Sequence, residues 1–200
     1  VGGAAIAAGQ IAAGYWLHPE DARWAHAFLY VGLISYSEAS HAGLTAHGWS
    51  GPGVYCAEAM PHGARLRRLG AAPEQAMAAC GDQALWSTGI LELDEQQRRD
   101  ARLVALAKLG TPYSVLDYFS LIAHHLHIPA PGLRHFIEDS GHMICSQYVD
   151  WVWTQVKQRI FPDGRWDGDV MPADLAARLT AARDSGGGLH EGQPARRPDC

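Results

Sequence analysis

Two apolar runs, Gly53-Val-Tyr-Cys-Ala-Glu-Ala-Met60 and residues 63–69, are separated by nothing more than Pro61-His62 before Gly63. So short a connection joins antiparallel neighbours only, and the pair reads as a β-hairpin around Pro61-His62-Gly63. The hairpin commits the middle of the chain to an antiparallel ladder. It also puts an acid, Glu58, inside an otherwise apolar strand. A buried carboxylate needs a partner, and an imidazole N–H would serve. The ordinary alternative is a strand acid turned to solvent.

Other elements can be placed around this ladder. Residues 10–17 read as a short first strand. The run over residues 23–32 is apolar, rich in aromatics and bounded by Gly32, and the next strand is placed at residues 24–34. Its alternate sides are His26, Phe28 and Tyr30 against Ala25, Ala27, Leu29 and Val31. Residues 73–80 suggest a short helix with Pro73 in its first turn, and residues 85–93 a strand. Asp94 caps a helix running to about Leu109, which Gly110 ends. A helix over residues 114–127 stops before Pro129, and Pro172 opens a last helix to about Arg183. Beyond Ser185 the chain is polar and glycine-rich with no apolar period, the pattern of a disordered tail. Helices with a mainly antiparallel sheet in one unit make the class α+β. Residues 1–183 form the expected single domain, and residues 184–200 the tail.

The segment Gly141-His-Met-Ile-Cys145-Ser-Gln-Tyr-Val-Asp-Trp151 carries the chemistry. Tyr148, Val149, Val152, Trp153 and Val156 recur at three- and four-residue steps, one face of a helix reaching about Arg159. Cys145 stands where a loop enters that helix. Helix N-termini present unsatisfied N–H groups and the positive end of the dipole. Both favour thiolate, the nucleophilic form. A buried structural cysteine is the competing reading, since free cysteine is among the most buried residue types. A Cys–His pair requires a base. His26, on its strand beside Phe28 and Tyr30, is the best candidate, against the alternative of a core histidine bonded to backbone.

The order of these residues resembles the circularly permuted NlpC/P60 group of papain-like cysteine hydrolases, in particular its YiiX-like branch. There a histidine strand comes first, an acid on the following strand second, and a Cys-Ser helix last. Four segments carry the resemblance: His26-Ala-Phe-Leu-Tyr-Val-Gly32, Val54-Tyr-Cys-Ala-Glu-Ala-Met-Pro-His-Gly63, Leu109-Gly-Thr-Pro-Tyr-Ser-Val-Leu-Asp117 and Cys145-Ser-Gln-Tyr-Val149. Val170-Met-Pro-Ala-Asp-Leu175 is similar to the branch's proline-led terminal segment. The resemblance implies a papain-like sheet or half-barrel against helices. It makes Cys145 the nucleophile, His26 the base and Glu58 the ring-orienting acid. Tyr113 matches a tyrosine that lies near the nucleophile, and its alternative is a core aromatic anchoring a loop. Two departures stand out. Gly9-Gln10-Ile11 replaces the usual Gly-Asp opening, and residues 35–53 look like an inserted loop, where Glu38 or His41 competes with Glu58 for the third place.

Composition narrows the alternatives. A formal net charge of −5 argues against a nucleic-acid binder, which would show a basic patch or stripe. Arg65, Arg67 and Arg68 make a small basic cluster that reads as a solvated strand face. No segment reaches the length of a membrane span. Residues 1–9 are small and apolar without a basic lead, so they are no complete signal peptide, and both cytoplasmic and exported locations stay open. Cys56, Cys80, Cys145 and Cys200 fit no zinc spacing; Cys56 reads as a small buried hydrophobe and Cys200 as a free thiol. His124 and His127 are three apart but lack a third ligand, and His135-Phe-Ile-Glu138 is no zincin motif. His142, three residues before Cys145, reads as a solvated loop residue. No metal or cofactor is expected.

The expected function is thiol hydrolysis of an amide or ester through a Cys145 acyl-enzyme. The resemblance implies cell-wall peptides as the leading substrates. The first alternative is lipid acyl hydrolysis or transfer of the lecithin:retinol acyltransferase type, although those relatives usually carry Asn where this chain has Ile144. The second is a catalytically inert binding module on the same fold. A secreted antibacterial effector, with an immunity protein as partner, is a further possibility. The insertion at residues 38–50 is expected to cover the cleft and set specificity.

Overall fold

The computed structural model describes residues 19–20, 24–73, 75, 85–87, 91, 93–112, 143–166, 169–184 and 189–191. The described part is α+β, a small antiparallel sheet with helices. Strand β1 is Leu29–Ile34, β2 is Gly53–Met60 and β3 is Gly63–Gly70, in the order β1-β2-β3 with β2 in the centre. The hairpin is the one the sequence predicts: Met60 pairs with Gly63, and Glu58 stands opposite Arg65.

The histidine strand starts later than expected. His26 precedes β1, in the irregular segment at residues 24–28. The sides of β1 also change along its length. Leu29 and Val31 are buried, but beyond a bulge between Tyr30 and Gly32 it is Ile34 that turns inward while Leu33 is 59% exposed. Gly32 takes φ +79, which a side chain would resist, and absorbs the extra residue.

Between β1 and β2 the expected inserted loop is compact. Helix α1, Tyr36–His41, is capped by the Ser35 hydroxyl, and a 3₁₀ turn follows at Leu44–His47. Ala39 and Leu44 anchor both in the main core.

Helix α2, Glu95–Ala107, starts at Asp94 as predicted. Its cap is reciprocal: Asp94 Oδ1 accepts from Gln97 N–H at 2.7 Å, and Gln97 Oε1 accepts from Asp94 N–H at 3.0 Å. Helix α3, Cys145–Gln155, starts as predicted and stops four residues before Arg159. Lys157 there adopts φ 60, a left-handed conformation that no helix continues through. Helix α4, Pro172–Asp184, follows. Of the strand expected at residues 85–93, β4 is Leu85–Ser87, and Leu91 and Leu93 are irregular. It pairs with β5, Leu189–Glu191, so the tail expected to be disordered contributes a strand. The elements expected at residues 10–17 and 114–127, and nearly all of the one at 73–80, lie outside the described residues.

The main core lies on one face of the sheet. Leu29, Val31, Tyr55, Ala57, Ala59, Ala64 and Leu66 pack with Ala101, Ala105 and Leu106 of α2 and with Tyr148, Val149 and Val152 of α3. The Tyr148 hydroxyl donates to the Ala105 carbonyl at 2.8 Å and ties α3 to α2. Arg102 ties α2 to β1, donating to the carbonyls of Val31 at 2.6 Å and Leu33 at 2.7 Å. No helix among the described residues is long and apolar enough to cross a membrane.

Candidate active site

Cys145 opens α3 behind Ile144, whose backbone is extended at φ −86, ψ 169. Ile144 carries no side-chain oxygen to occupy the first-turn N–H groups. The only cap is reversed, from Ile144 N–H to Gln147 Oε1 at 3.0 Å. The positive end of an 11-residue helix therefore lies at the sulfur. Cys145 is 1% exposed. That burial is what a structural cysteine shows too; its partner makes the difference, because Cys145 hydrogen-bonds to His26.

His26 reaches the same point from the segment leading into β1, its side chain 35% exposed. Its Nε2 lies 3.0 Å from Glu58 Oε2. Extending the β1–β2 register past Leu29↔Ala57 brings Phe28 level with Glu58. His26 lies two residues before Phe28, on the irregular approach to that end of the sheet. Glu58, Cys56 and Phe28 all belong to the face opposite the main core, where Val54, Cys56 and Leu69 form a small second cluster with Phe28 against it.

Glu58 is 2% exposed and has three partners. Besides His26, Arg67 Nε stands 3.1 Å from Oε2 and Arg65 Nη2 is 3.5 Å from Oε1. Burial alone would push the Glu58 carboxyl up. The His26 bond and the charges of Arg67, His26 and Arg65 outweigh it and hold the group below its usual range. For His26, burial alone would push the imidazole down. Hydrogen bonds to Cys145 and Glu58, and the charges of both, overcome it and raise the ring from 6.5 to about 10. A histidine protonated at neutral pH beside a cysteine at a helix start is the arrangement of a thiolate–imidazolium pair.

The structure thus brings together Cys145, His26 and Glu58. Glu38 is held instead by Arg102, at 2.7 and 2.9 Å, and His41 Nδ1 bonds the Ser37 carbonyl at 2.7 Å. Tyr113 lies outside the described residues, as do Gly9, Gln10, His124, His127, His135, Glu138 and His142. Among the described residues no group of three or more His, Cys, Asp or Glu could hold a metal ion.

Two neighbours of the site are not singled out by the sequence. Arg65 and Arg67 belong to the cluster that reads as a solvated strand face, and with side chains 44% and 42% exposed they also pair with Glu58. The signal was available in the hairpin, since a two-residue connection sets Arg65 opposite Glu58 and Arg67 two residues further on the same face. Arg68 turns outward and donates to the Pro52 carbonyl at 2.8 Å.

Comparison with protein-family models, with curated proteins and with solved structures finds no match for this chain.

Proposed function

We propose that this chain is a papain-like thiol hydrolase acting on an amide or ester carbonyl. The observation that carries the reading is the hydrogen-bonded series Cys145–His26–Glu58, with Cys145 at the first position of α3. The antiparallel β1-β2-β3 sheet packed against α2 and α3 supports a papain-like fold of the permuted NlpC/P60 kind.

In this mechanism the Cys145 thiolate attacks the substrate carbonyl carbon, and the carbonyl oxygen becomes an oxyanion. The Cys145 N–H at the helix start is one donor to it, and Tyr113 is the second by resemblance. His26 gives its proton to the leaving amine or alcohol as the C–N or C–O bond breaks, and a thioester remains. The neutral imidazole then takes a proton from water, and hydroxide attacks the thioester. The product acid leaves, and the thiolate–imidazolium pair is restored. Glu58 keeps the ring oriented and its charge balanced, the part a third triad member plays. Murein stem peptides are the first substrates to test, on the strength of the resemblance.

A second reading, an inert binding module, has one observation in its favour: the 1% exposure of Cys145. Iodoacetamide alkylation against pH, followed by peptide mass mapping, separates the two. The hydrolase reading expects Cys145 to be modified well below the ordinary cysteine range, about 8.5, and His26→Ala to remove that reactivity. A Cys145 that stays protected until the chain unfolds would sink the hydrolase reading and move the inert module ahead of it.

A further inference from the structure

The central strand presents Glu58 to two sides. On the β1 side stands His26, and on the β3 side stand two arginines. Arg67 makes the shorter contact of the two. Its Nε lies 3.1 Å from the same Oε2 that His26 uses, an ion pair without a hydrogen bond at that nitrogen, and its guanidinium lies over the Phe28 ring, 5.4 Å from the centroid. Phe28 is two residues from His26, so Arg67 braces the histidine segment as well as the carboxylate. Arg65, directly across from Glu58, meets Oε1, the oxygen His26 leaves alone.

We propose that Arg67, with Arg65 beside it, is a positioning residue for the Cys145–His26 pair and acts through Glu58. The inference rests on the thiol-hydrolase reading above.

The physical argument has a definite sign. A carboxylate oxygen shared between an imidazole and a guanidinium divides its negative charge between them. Left with His26 alone, Glu58 would hold the imidazolium so firmly that the proton would be slow to reach the leaving group. The arginines weaken that hold while keeping the carboxylate ionised and oriented. Their positive charge also favours the Cys145 thiolate. A cation beside the pair therefore moves both titrations down: thiol to thiolate, and imidazolium to imidazole. Among the described residues, the charged and titratable groups on this side of the sheet are Cys145 from α3, Glu58 and Cys56 from β2, and Arg65 and Arg67 from β3.

The test needs no substrate. The alkylation rate of Cys145 in the full chain is followed against pH in wild type, Arg67→Gln, Arg67→Lys and Arg65→Gln. The profile has an acid limb from thiolate formation and an alkaline limb from loss of the His26 proton. Arg67→Gln is expected to move both limbs to higher pH by about half a unit or more. Arg67→Lys, which retains the charge, should return them toward wild type. Arg65→Gln should move them the same way by less, since its contact is longer. A folded Arg67→Gln whose limbs coincide with wild type overturns the proposal and leaves the hydrolase reading standing. If Arg67→Gln does not fold, unshifted limbs in Arg65→Gln overturn it equally. A wild-type profile with no acid limb sensitive to His26→Ala would instead refute the hydrolase reading, and the proposal with it.

Discussion

His26 and Glu58 are 32 residues apart in sequence and meet through a 3.0 Å contact between Nε2 and Oε2. The hairpin strand β2 supplies one and the lead-in to β1 the other, so the pair exists only once the two strands have paired. Removing the charge while keeping the shape isolates its role. In Glu58→Gln the imidazolium loses its counter-charge, and the alkaline limb of Cys145 alkylation should fall to lower pH, the opposite of the shift expected for Arg67→Gln. Turnover on a cleavable peptide should drop by about a hundredfold. An unchanged alkaline limb would mean that Glu58 does not govern the ring.

The protonation of His26 can be read directly. Its ring is raised to about 10, so its nitrogen NMR signals should stay those of imidazolium through neutral pH and change near that value. Cys145→Ala removes one of the two bonds that raise it, and the titration should move down. Linkage gives this a stability consequence. A pKa raised above the unfolded value of 6.5 contributes stability that is complete below 6.5 and is lost as pH rises through about 10. His26→Gln should therefore lose part of the alkaline fall in melting temperature that wild type shows.

Gly48 offers a test of backbone geometry away from the site. It takes φ +95, and a Cβ there would stand 2.5 Å from the Leu66 carbonyl oxygen of β3. Both the conformation and the contact reject a side chain. Gly48→Ala should cost about 2 kcal/mol or more in urea unfolding. A loss under about 0.5 kcal/mol, the range of neutral surface changes, would show that this approach of the turn to the sheet is wrong.

Tyr148 tests the junction of the two central helices. Its ring is fully buried, and burial pushes its hydroxyl pKa up, so it remains a donor to Ala105 at every accessible pH. Tyr148→Phe keeps the ring and removes the bond. Stability should fall by about 1 kcal/mol, with the pH profile of Cys145 alkylation unmoved. A shifted profile would show that the helix junction sets the position of the sulfur.

Local signals made much of this fold readable. The turn at Pro61-His62 announces the hairpin, Asp94 marks the start of α2, and Pro172 that of α4. Cys145 was placed at a helix start by the apolar spacing that follows it. Pairing could not be read in the same way. The bulge at Gly32 depends on how β1 lies against β2, so an alternation count carried the strand back through His26, where it does not reach. The end of α3 was overrun because Lys157 gives no chemical warning of its left-handed turn. Residues 35–53 read as an inserted loop, with no helix marked in it, because the anchors of the short helix and turn, Ala39 and Leu44, are too few to show a period. The Arg65 and Arg67 contacts were implicit in the hairpin but required its register to be followed across the strands.

Arg102 has a consequence beyond joining α2 to β1. Among the described residues, the carbonyls of Val31 and Leu33 that it occupies belong to the end strand of the β1-β2-β3 order. Unoccupied carbonyls along the margin of such a strand invite a strand from another molecule, and Leu33 and Tyr36, 59% and 67% exposed, would add apolar surface to the match. One guanidinium, fastened in turn by Glu38, closes that margin with charge. The same side chain that helps assemble the fold thereby helps keep copies of it apart, and Arg102→Ala should be recognised first by its loss of solubility at high concentration.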